Sequence, residues 1–207
     1  MFLYVALLVV QLNNPQQVID LEMTPTEIAA FKRKVQSKSA TIKSIKTDFT
    51  QKKKMEFLEN DIISNGEMLL SAEGFLKWQY TNPNKYSIIF KSNQIYINDN
   101  GTKSTANVNQ RLFKKISTLI SGSIKGDIFN DAEFSYSFYK RGSNVVVKLI
   151  TKHKTMVKYI KNIELTFPKE EVLVSEVKLI EPSGDYTLIS FKNRKINVHI
   201  DKAEFNH

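Results

Sequence analysis

The sequence has no cysteine and only three histidines, which excludes several kinds of chemistry. Without cysteine there can be no disulfide, no thiolate metal site and no cysteine nucleophile. His153, His199 and His207 lie apart, and none has a carboxylate or a second histidine at ligand spacing. No G-x-S-x-G motif occurs, and the segment "SGSIKGD" at 121–127 lacks the ending of a phosphate-binding loop. We therefore expect neither an enzyme nor a metal or cofactor site.

The sequence is also poor in glycine and proline and rich in aromatic residues. Only 7 glycines and 5 prolines accompany 13 phenylalanines and 8 tyrosines, and aromatic residues favour strands. Its 207 residues, with 42% hydrophobic and 25% charged side chains, suit one globular domain with a substantial core. This composition favours a mainly β fold.

The N-terminus carries a short apolar run that is not a membrane span. Residues 2–10, "FLYVALLVV", are too few to cross a bilayer as a helix. They resemble the apolar region of a secretory signal and precede a polar linker, although no basic residue comes before them and no clear cleavage site follows. The alternative is a buried first strand or helix. We expect residues 1–17 to be a signal-like segment with a linker and residues 18–207 to form a single domain.

The formal net charge of +9 allows nucleic acid, an anionic membrane or an acidic protein as a partner. The basic residues form small clusters, at 32–34, 52–54, 152–158 and 192–195. In the last third of the chain, lysines stand between apolar residues, as is typical of the solvated face of a strand. The pattern therefore favours solvated strand faces over a nucleic-acid surface.

The segment after the linker predicts a helix. Thr24 is a candidate N-cap, Pro25 occupies the first helical position and Glu27 completes a capping box. Apolar residues then recur at helical spacing, at Ile28, Phe31 and Val35. We expect this helix to end within residues 37–40.

Beyond the helix the pattern becomes extended. Strands are predicted at 41–59, 66–74, 75–80, 85–91, 94–99, 133–140, 145–152, 156–167, 172–181, 186–193 and 195–200. Turn residues separate the first of these, at Asn65-Gly66, Glu73-Gly74, Asn82-Pro83, Ser92-Asn93 and Asn100-Gly101. Residues 109–124 instead show helical spacing. The prediction is an α+β fold with a long antiparallel meander, an N-terminal helix and a central helical insertion.

One stretch resembles a known family. "GEMLLSAEGFLKWQYTNP" at 66–83, with "FTQ" at 49–51 and "IYIND" at 95–99, resembles the LolA family of periplasmic lipoprotein carriers of Gram-negative bacteria. Order and spacing agree from Thr24 to about Asn130. The resemblance implies a curled antiparallel sheet forming a half-open barrel, with helices lidding its concave hydrophobic face.

The resemblance also implies a function. The resemblance implies a soluble, monomeric chaperone in the periplasm that binds the acyl chains of lipoproteins without catalysis. Such a chaperone receives its cargo from an inner-membrane lipoprotein-releasing transporter and delivers it to an outer-membrane acceptor. The absence of cysteine fits, since such a carrier is not itself lipid-anchored. The residues implied to line the cavity are Leu76, Trp78, Tyr80, Ile88, Phe90, Ile116, Leu119 and Ile120.

The sequence departs from the family at one point and is compatible with three further interpretations. The family commonly has an arginine that holds the lid closed just before the tryptophan strand, where this chain has Ala72 and Glu73. The aromatic face could also fill a closed core without a ligand. The chain could instead be a lipid- or lipoprotein-sensing module of the same fold, or a basic nucleic-acid-binding protein.

Overall fold

A single antiparallel sheet dominates the molecule. The computed structural model describes residues 19–71, 73–92, 94–106, 128–129 and 133–206. Within these residues the chain forms one α-helix and a 12-stranded sheet in which every neighbouring pair is antiparallel. The predicted α+β class with a long meander is confirmed. The helix is α1 (Pro25–Ala40), and the strands are β1 (Asp20–Glu22), β2 (Ser44–Lys54), β3 (Ile62–Ser71), β4 (Leu76–Asn82), β5 (Tyr86–Lys91), β6 (Gln94–Asp99), β7 (Thr102–Ala106), β8 (Phe134–Arg141), β9 (Asn144–Thr151), β10 (Asn162–Pro168), β11 (Glu176–Ile180) and β12 (Tyr186–Ile196).

The helix begins and ends where the sequence predicts. The backbone N–H of Glu27 donates to Thr24 Oγ1 at 3.3 Å, and the Thr24 N–H donates to Glu27 Oε2 at 3.0 Å, which completes the capping box. Phe31 and Val35 are buried, and Ile28 packs against the same core. The capping box and the apolar stripe therefore fix both the start of α1 and the face it buries.

The strand order leaves the sheet open. It runs β1-β8-β9-β10-β11-β12-β2-β3-β4-β5-β6-β7, so that β12 pairs with β2 and joins the two ends of the chain in the middle of the sheet. The terminal strands are β1 at one edge and β7 at the other. β1 pairs with β8, and the remaining neighbours, β2 to β7 and β8 to β12, follow one another in sequence, so that one continuous face can curve around a shared core.

Both faces of the sheet are partly buried. The main core lies on the face shared by α1 and includes residues from most strands. A smaller second core lies on the opposite face, where Phe205 packs against Leu69 and Ile89. Phe205 belongs to a short 3-10 helix, Lys202–Phe205, whose N-cap is Asp201. Phe75 joins this second core, with its ring centroid 5.9 Å from that of Phe205. This explains why the residues around Trp78 carry apolar groups on both faces.

The structure corrects the predicted turn at Asn65-Gly66. Both residues lie inside β3, which begins at Ile62, and the connection from β2 spans residues 55–61. An Asn-Gly pair commonly marks a hairpin turn. Here the glycine instead meets a steric demand of the core, which the next subsection describes. By contrast, the turn predicted at Glu73-Gly74 is confirmed, with Gly74 at a φ of 86°.

Three predicted strands in the second half of the chain are shorter than expected or absent. Residues 156–161 are not extended, because Met156 and Ile160 are buried four residues apart, as one helical turn requires. Residues 172–175 precede β11, and Val172 has a φ of 55°, which interrupts extended backbone. No separate strand covers 195–200: β12 ends at Ile196, and Asn197 has a φ of 58°.

The Asn197 side chain then fixes this exit from the sheet. Its Oδ1 accepts from the Lys43 N–H at 2.7 Å, and its Nδ2 donates to the Thr41 carbonyl at 2.9 Å. The predicted central helix at 109–124 lies outside the described residues, as does the N-terminal segment 1–17.

Candidate functional site

The tryptophan strand and its neighbour bring five predicted site residues onto one face. In the antiparallel register of β4 and β5, Trp78 lies opposite Ile88 and Leu76 lies opposite Phe90. Tyr80 follows on the same face by strand alternation. Leu76, Trp78 and Ile88 are buried, while Tyr80 and Phe90 are half-buried against the main core. The remaining predicted residues, Ile116, Leu119 and Ile120, lie outside the described residues.

Trp78 stands at the centre of an aromatic cluster formed by Phe49, Trp78, Tyr80, Tyr86 and Phe191. The ring of Phe49 stacks on Trp78 with centroids 4.2 Å apart and an interplanar angle of 29°. Phe191 meets Trp78 edge-on at 6.1 Å, and Tyr80 lies at 5.2 Å from Phe49 and 6.2 Å from Tyr86. Stacked and edge-to-face pairs are favourable arrangements for aromatic rings. The cluster therefore forms one continuous aromatic surface across β12, β2, β4 and β5.

The close approach of Phe49 explains Gly66. Gly66 lies opposite both Phe49 and Tyr80 in the sheet. A Cβ atom at this position would lie 2.5 Å from Phe49 Cζ and 2.1 Å from the Gln79 carbonyl oxygen. Both distances are far shorter than ordinary van der Waals contact. Only glycine leaves room for the phenyl ring to reach Trp78.

The cluster contains polar groups as well as apolar surface. Tyr80 donates its hydroxyl to Gln51 Oε1 at 2.9 Å, and burial raises the pKa of this phenol. Burial also raises the pKa of Tyr86. The indole N–H of Trp78 is buried and finds no hydrogen-bond acceptor within the part of the chain that the structure describes. A buried donor without a partner is costly, about 1–3 kcal/mol. The site thus combines apolar rings with a few buried polar groups, and the indole N–H of Trp78 lies close to the Tyr80 hydroxyl.

A second aromatic group lies beneath α1. Phe31 of the helix meets Phe167 of β10 edge-on at 5.2 Å, and Phe129 lies 5.8 Å from Phe31 and 5.4 Å from Phe138. Beside the helix, a cavity of about 210 Å³ opens between Met23, Phe31, Phe167 and other residues of α1, β9 and β10. This volume is small against the 300–1,000 Å³ typical of small-molecule sites. The helix covers most of this part of the core.

A larger groove has a mixed lining, with most of its charged side chains on the opposite face. It measures about 510 Å³, and its lining includes Asp48, Glu67, Gln79 and Lys192. Glu67 is paired with Lys46 at 2.8 Å, and Asp48 Oδ2 accepts from the Asn193 side chain at 2.8 Å. Because its lining carries charged groups that an apolar ligand would remove from water, this groove is a poor site for such a ligand.

A family model decides what kind of chain this is. The model described as "Outer membrane lipoprotein carrier protein LolA" matches residues 40–207. The chain belongs to the LolA family. The resemblance seen around the tryptophan strand is therefore confirmed.

Two curated relatives carry the same description at low identity. An outer-membrane lipoprotein carrier protein from Azotobacter vinelandii is 25% identical over 145 residues, which cover 69% of this chain and 67% of that protein. One from Pseudoalteromonas translucida is 20% identical over 195 residues, covering 94% and 91%. A crystal structure of a DUF1329 family protein from Desulfovibrio piger superposes with a TM-score of 0.51 at 9% identity, covering 89% of this chain and 98% of that one. That likeness concerns the fold alone.

Two absences concern the described residues alone. Among residues 19–71, 73–92, 94–106, 128–129 and 133–206, no group of three or more His, Asp or Glu side chains could hold a metal ion. No helix among the described residues is long and apolar enough to cross a membrane.

Glu73, which stands where the sequence departs from the family pattern, is held on the side of the sheet opposite to Trp78. Glu73 forms an ion pair with Lys202 at 3.1 Å, and Lys202 opens the 3-10 helix that covers the second core. Glu73 is thus tied to the opposite side of the sheet, and Ala72 lies outside the described residues. No side chain at these positions replaces the family arginine within the described part.

Several residues of the site were missed in the sequence. Phe49 and Gln51 belong to the "FTQ" motif at 49–51, and the structure shows that they contact Trp78 and Tyr80 respectively. Their spacing of two places both on one face of β2, which is a usable signal. Phe191 and the steric role of Gly66 depend on which strands pair, and the local sequence carries no sign of either.

Proposed function

We propose that this LolA-family chain is a non-enzymatic carrier that shelters the acyl chains of lipoproteins against the concave face of its sheet. The observation that carries the proposal is the continuous aromatic surface around Trp78. The family membership and the names of both curated relatives support it. The predicted lining residues remain Leu76, Trp78, Tyr80, Ile88, Phe90, Ile116, Leu119 and Ile120.

The energetics of acyl chains require such a surface. Each exposed methylene costs about 0.8 kcal/mol in water, so one long chain approaches ~12 kcal/mol. A carrier must cover most of that area and still release the chain, which favours apolar contacts over many fixed polar anchors. The half-buried hydroxyl-bearing rings of Tyr80 and Tyr86 would lie beside the polar end of the chain, because a phenol hydroxyl can donate to an ester or carboxyl oxygen.

The proposal includes the cellular context that the family implies. Residues 18–207 would act as one monomeric domain in the periplasm. They would receive lipoproteins from an inner-membrane lipoprotein-releasing transporter and deliver them to an outer-membrane acceptor. No covalent step is needed, and no nucleic acid takes part.

The single tryptophan makes a direct test possible. Brominated acyl chains quench indole fluorescence only over a short range, and Trp78 is the only tryptophan in the chain. Titration with dibromostearic acid should quench the fluorescence of Trp78 saturably, whereas unbrominated stearic acid should not. A matched control carries W78F together with F75W. This moves the indole to the opposite face, where Phe75 packs on Phe205, and it should be quenched little.

The controls separate binding on the concave face from general adhesion. Equal quenching in the two proteins, or none in either, would contradict the proposal. A second measurement concerns the cargo itself: the purified protein should release a lipoprotein from membrane vesicles into the supernatant after centrifugation. Failure to release it while dibromostearic acid still quenches Trp78 would limit the function to lipid binding.

A further inference from the structure

One surface segment combines positive charge with exposed apolar side chains. We define the basic patch as residues 150–161, "ITKHKTMVKYIK", which join β9 to β10. The patch carries Lys152, Lys154, Lys158 and Lys161 and contains no Asp or Glu. All four lysines are exposed, and within the described residues none of them is ion-paired. Its charge is therefore available to a partner.

The same segment exposes large apolar side chains. Ile150, Val157 and Tyr159 are 52%, 49% and 65% exposed, and they make up three of the nine exposed large hydrophobic residues in the described chain. Single exposed hydrophobic residues are normal, whereas this segment exposes three within twelve positions, with Val157 and Tyr159 only two residues apart. Exposed apolar groups flanked by lysine are typical of surfaces that dock on membranes.

The segment is fixed in this orientation by the core. Met156 and Ile160 are buried and belong to the main core. The Ile160 N–H donates to the Met156 carbonyl at 2.8 Å, and the Lys161 N–H donates to the Ile180 carbonyl of β11 at 2.8 Å. Because this short turn directs Met156 and Ile160 inward, Val157 and Tyr159 point to solvent. Val157 and Tyr159 could become buried only if Met156 and Ile160 left the core.

We propose that the basic patch docks this protein on an anionic lipid surface. The lysines would contact lipid phosphates, while Ile150, Val157 and the ring of Tyr159 would enter the headgroup region. The inference goes beyond the carrier function and does not depend on it, since docking would be measured on lipid vesicles without any lipoprotein cargo, and the patch variants leave the residues around Trp78 unchanged.

The composition of the patch favours a membrane over nucleic acid. Single-stranded nucleic acids bind basic grooves through aromatic side chains on which bases stack. The exposed apolar side chains of the patch are one aromatic, Tyr159, and two aliphatic ones, Ile150 and Val157, which give no stacking surface; the only other aromatic ring is the half-buried His153. Aliphatic groups instead gain free energy by leaving water for the acyl boundary of a bilayer.

The chain contains a natural comparison in the β2–β3 hairpin. There Phe57, Ile62 and Ile63 are 78%, 46% and 53% exposed. The hairpin also carries lysines, but Asp61 pairs with Lys52 at 2.6 Å, and two glutamates lie in the same loop. Hydrophobic exposure is similar to that of the patch, whereas the positive charge is neutralised. Only the basic patch should respond to lipid charge.

Co-sedimentation with lipid vesicles tests the proposal. The wild-type protein should bind vesicles of phosphatidylcholine mixed with phosphatidylglycerol, and bind vesicles of phosphatidylcholine alone much less. Raising the salt concentration should weaken the binding. The double substitution K154E/K158E should lower the vesicle partition coefficient at least about tenfold, since each lysine near the surface contributes about fivefold. V157S/Y159S should lower it by a similar factor.

Matched variants control for total charge and hydrophobicity. K85E/K103E changes the net charge equally at the β4–β5 turn and on β7, and I62S/I63S removes two exposed apolar residues at the β2–β3 hairpin. Both should stay within about twofold of wild type. All substituted residues are exposed, and thermal unfolding verifies that each variant folds. As a second measurement, W78F/Y159W places the only indole in the patch, and anionic vesicles with brominated lipids should quench it.

Three results would overturn the inference. The first is an equal fall of the vesicle partition coefficient in K154E/K158E and K85E/K103E, which would mean that net charge alone drives binding. The second is binding that ignores phosphatidylglycerol. The third is tighter binding of a single-stranded oligonucleotide, measured by fluorescence anisotropy, that K154E/K158E abolishes while vesicle binding is unchanged. That outcome would assign the patch to nucleic acid.

Discussion

The two ends of the sheet use similar apolar residues but bury them to different extents. Beneath α1, the inward side chains of β9 and β10 are fully buried, and Leu149, Ile163 and Phe167 are at most 1% exposed. Towards the other edge, Tyr80, Tyr86, Phe90 and Ile97 are only half-buried, and Thr102–Thr105 of β7 are exposed. The described packing therefore becomes looser from the helix-covered end towards β7.

The two ends also differ in chemistry. The aromatic group beneath α1 consists of Phe31, Phe129, Phe138 and Phe167, which carry no polar atoms in their side chains. The cluster around Trp78 carries an indole N–H and two phenol hydroxyls. Purely apolar rings suit a permanent core, whereas amphipathic rings suit a surface that meets a ligand with a polar end. We infer that stability is concentrated under α1 and binding near β4 and β5.

The largest expected effect separates the two ends by stability. Phe31→Ala should lower the free energy of unfolding by about 3–4 kcal/mol, because it removes a buried ring between the helix and the sheet. Phe90→Ala, at a half-buried position, should cost about 1–2 kcal/mol. Urea denaturation followed by circular dichroism measures both. Equal costs would show that the two ends are packed alike and would break the comparison.

A second prediction concerns the contact that shapes the aromatic cluster. Gly66→Ala should destabilise the fold by about 3 kcal/mol, because its Cβ would clash with the Phe49 ring and the Gln79 carbonyl. In a Phe49→Leu background the cost should be smaller, since leucine lacks the Cζ atom in the clash. Ser64→Ala on the same strand should stay within about 0.5 kcal/mol of wild type. Strict additivity of Gly66→Ala and Phe49→Leu would contradict the proposed steric reason.

The elements that the sequence predicted well are those with local causes. The capping box at Thr24 and Glu27 depends on residues three apart, and it sets the start of α1. Alternation along Leu76, Trp78 and Tyr80 placed all three on one face, because strand side chains repeat every second residue. Both rules depend only on residues that are two or three positions apart in the sequence, so they can be applied without knowing the tertiary structure.

The elements that the sequence missed have causes far along the chain. Gly66 was expected in a turn, yet it lies in β3 because Phe49, 17 positions earlier, needs its space. The second core depends on Phe205, which reaches Leu69 and Ile89 only after the C-terminus returns across the sheet. Residues 197–200 leave the sheet because Asn197 bonds to Lys43 and Thr41. Local patterns cannot show such pairings.

A third prediction tests the polar character of the cluster. Tyr80→Phe removes the hydrogen bond to Gln51 and should cost about 1 kcal/mol at neutral pH. Because burial raises the pKa of Tyr80, its neutral form is stabilised in the folded state, and this contribution should be lost as pH rises above about 10. Urea unfolding at neutral and alkaline pH should therefore show that the variant loses less stability on alkalinisation than wild type.

The control for this prediction is Tyr159→Phe, at a tyrosine that is 65% exposed. It should leave the free energy of unfolding at neutral pH unchanged. If Tyr80→Phe and wild type lose stability in parallel as the pH rises, the phenol is not held neutral by burial, and the cluster resembles the purely apolar group under α1 more than we infer.

The smallest expected effect concerns the edge strand next to the helix-covered end. Arg141 donates to both oxygens of Asp20, at 2.6 and 2.8 Å, and Lys148 lies 2.9 Å from the same carboxylate. The hydrogen bond from Arg141 lowers the pKa of Asp20 to about 2. Asp20→Asn should lower the free energy of unfolding by about 0.5–1 kcal/mol at neutral pH, since the pair is partly solvated.

The pH dependence gives this prediction its sign. Because the folded pKa of Asp20 lies below its unfolded value of 3.8, the stabilisation is present above about pH 4 and is lost as pH falls towards 2. Wild type and Asp20→Asn should therefore converge in acid. Glu22→Gln, on the same strand, serves as the matched control and should show no such convergence. If the difference in free energy of unfolding between wild type and Asp20→Asn persisted at pH 2, the ion pair would not be its cause. Asp20 would then hold β1 against β8 by packing.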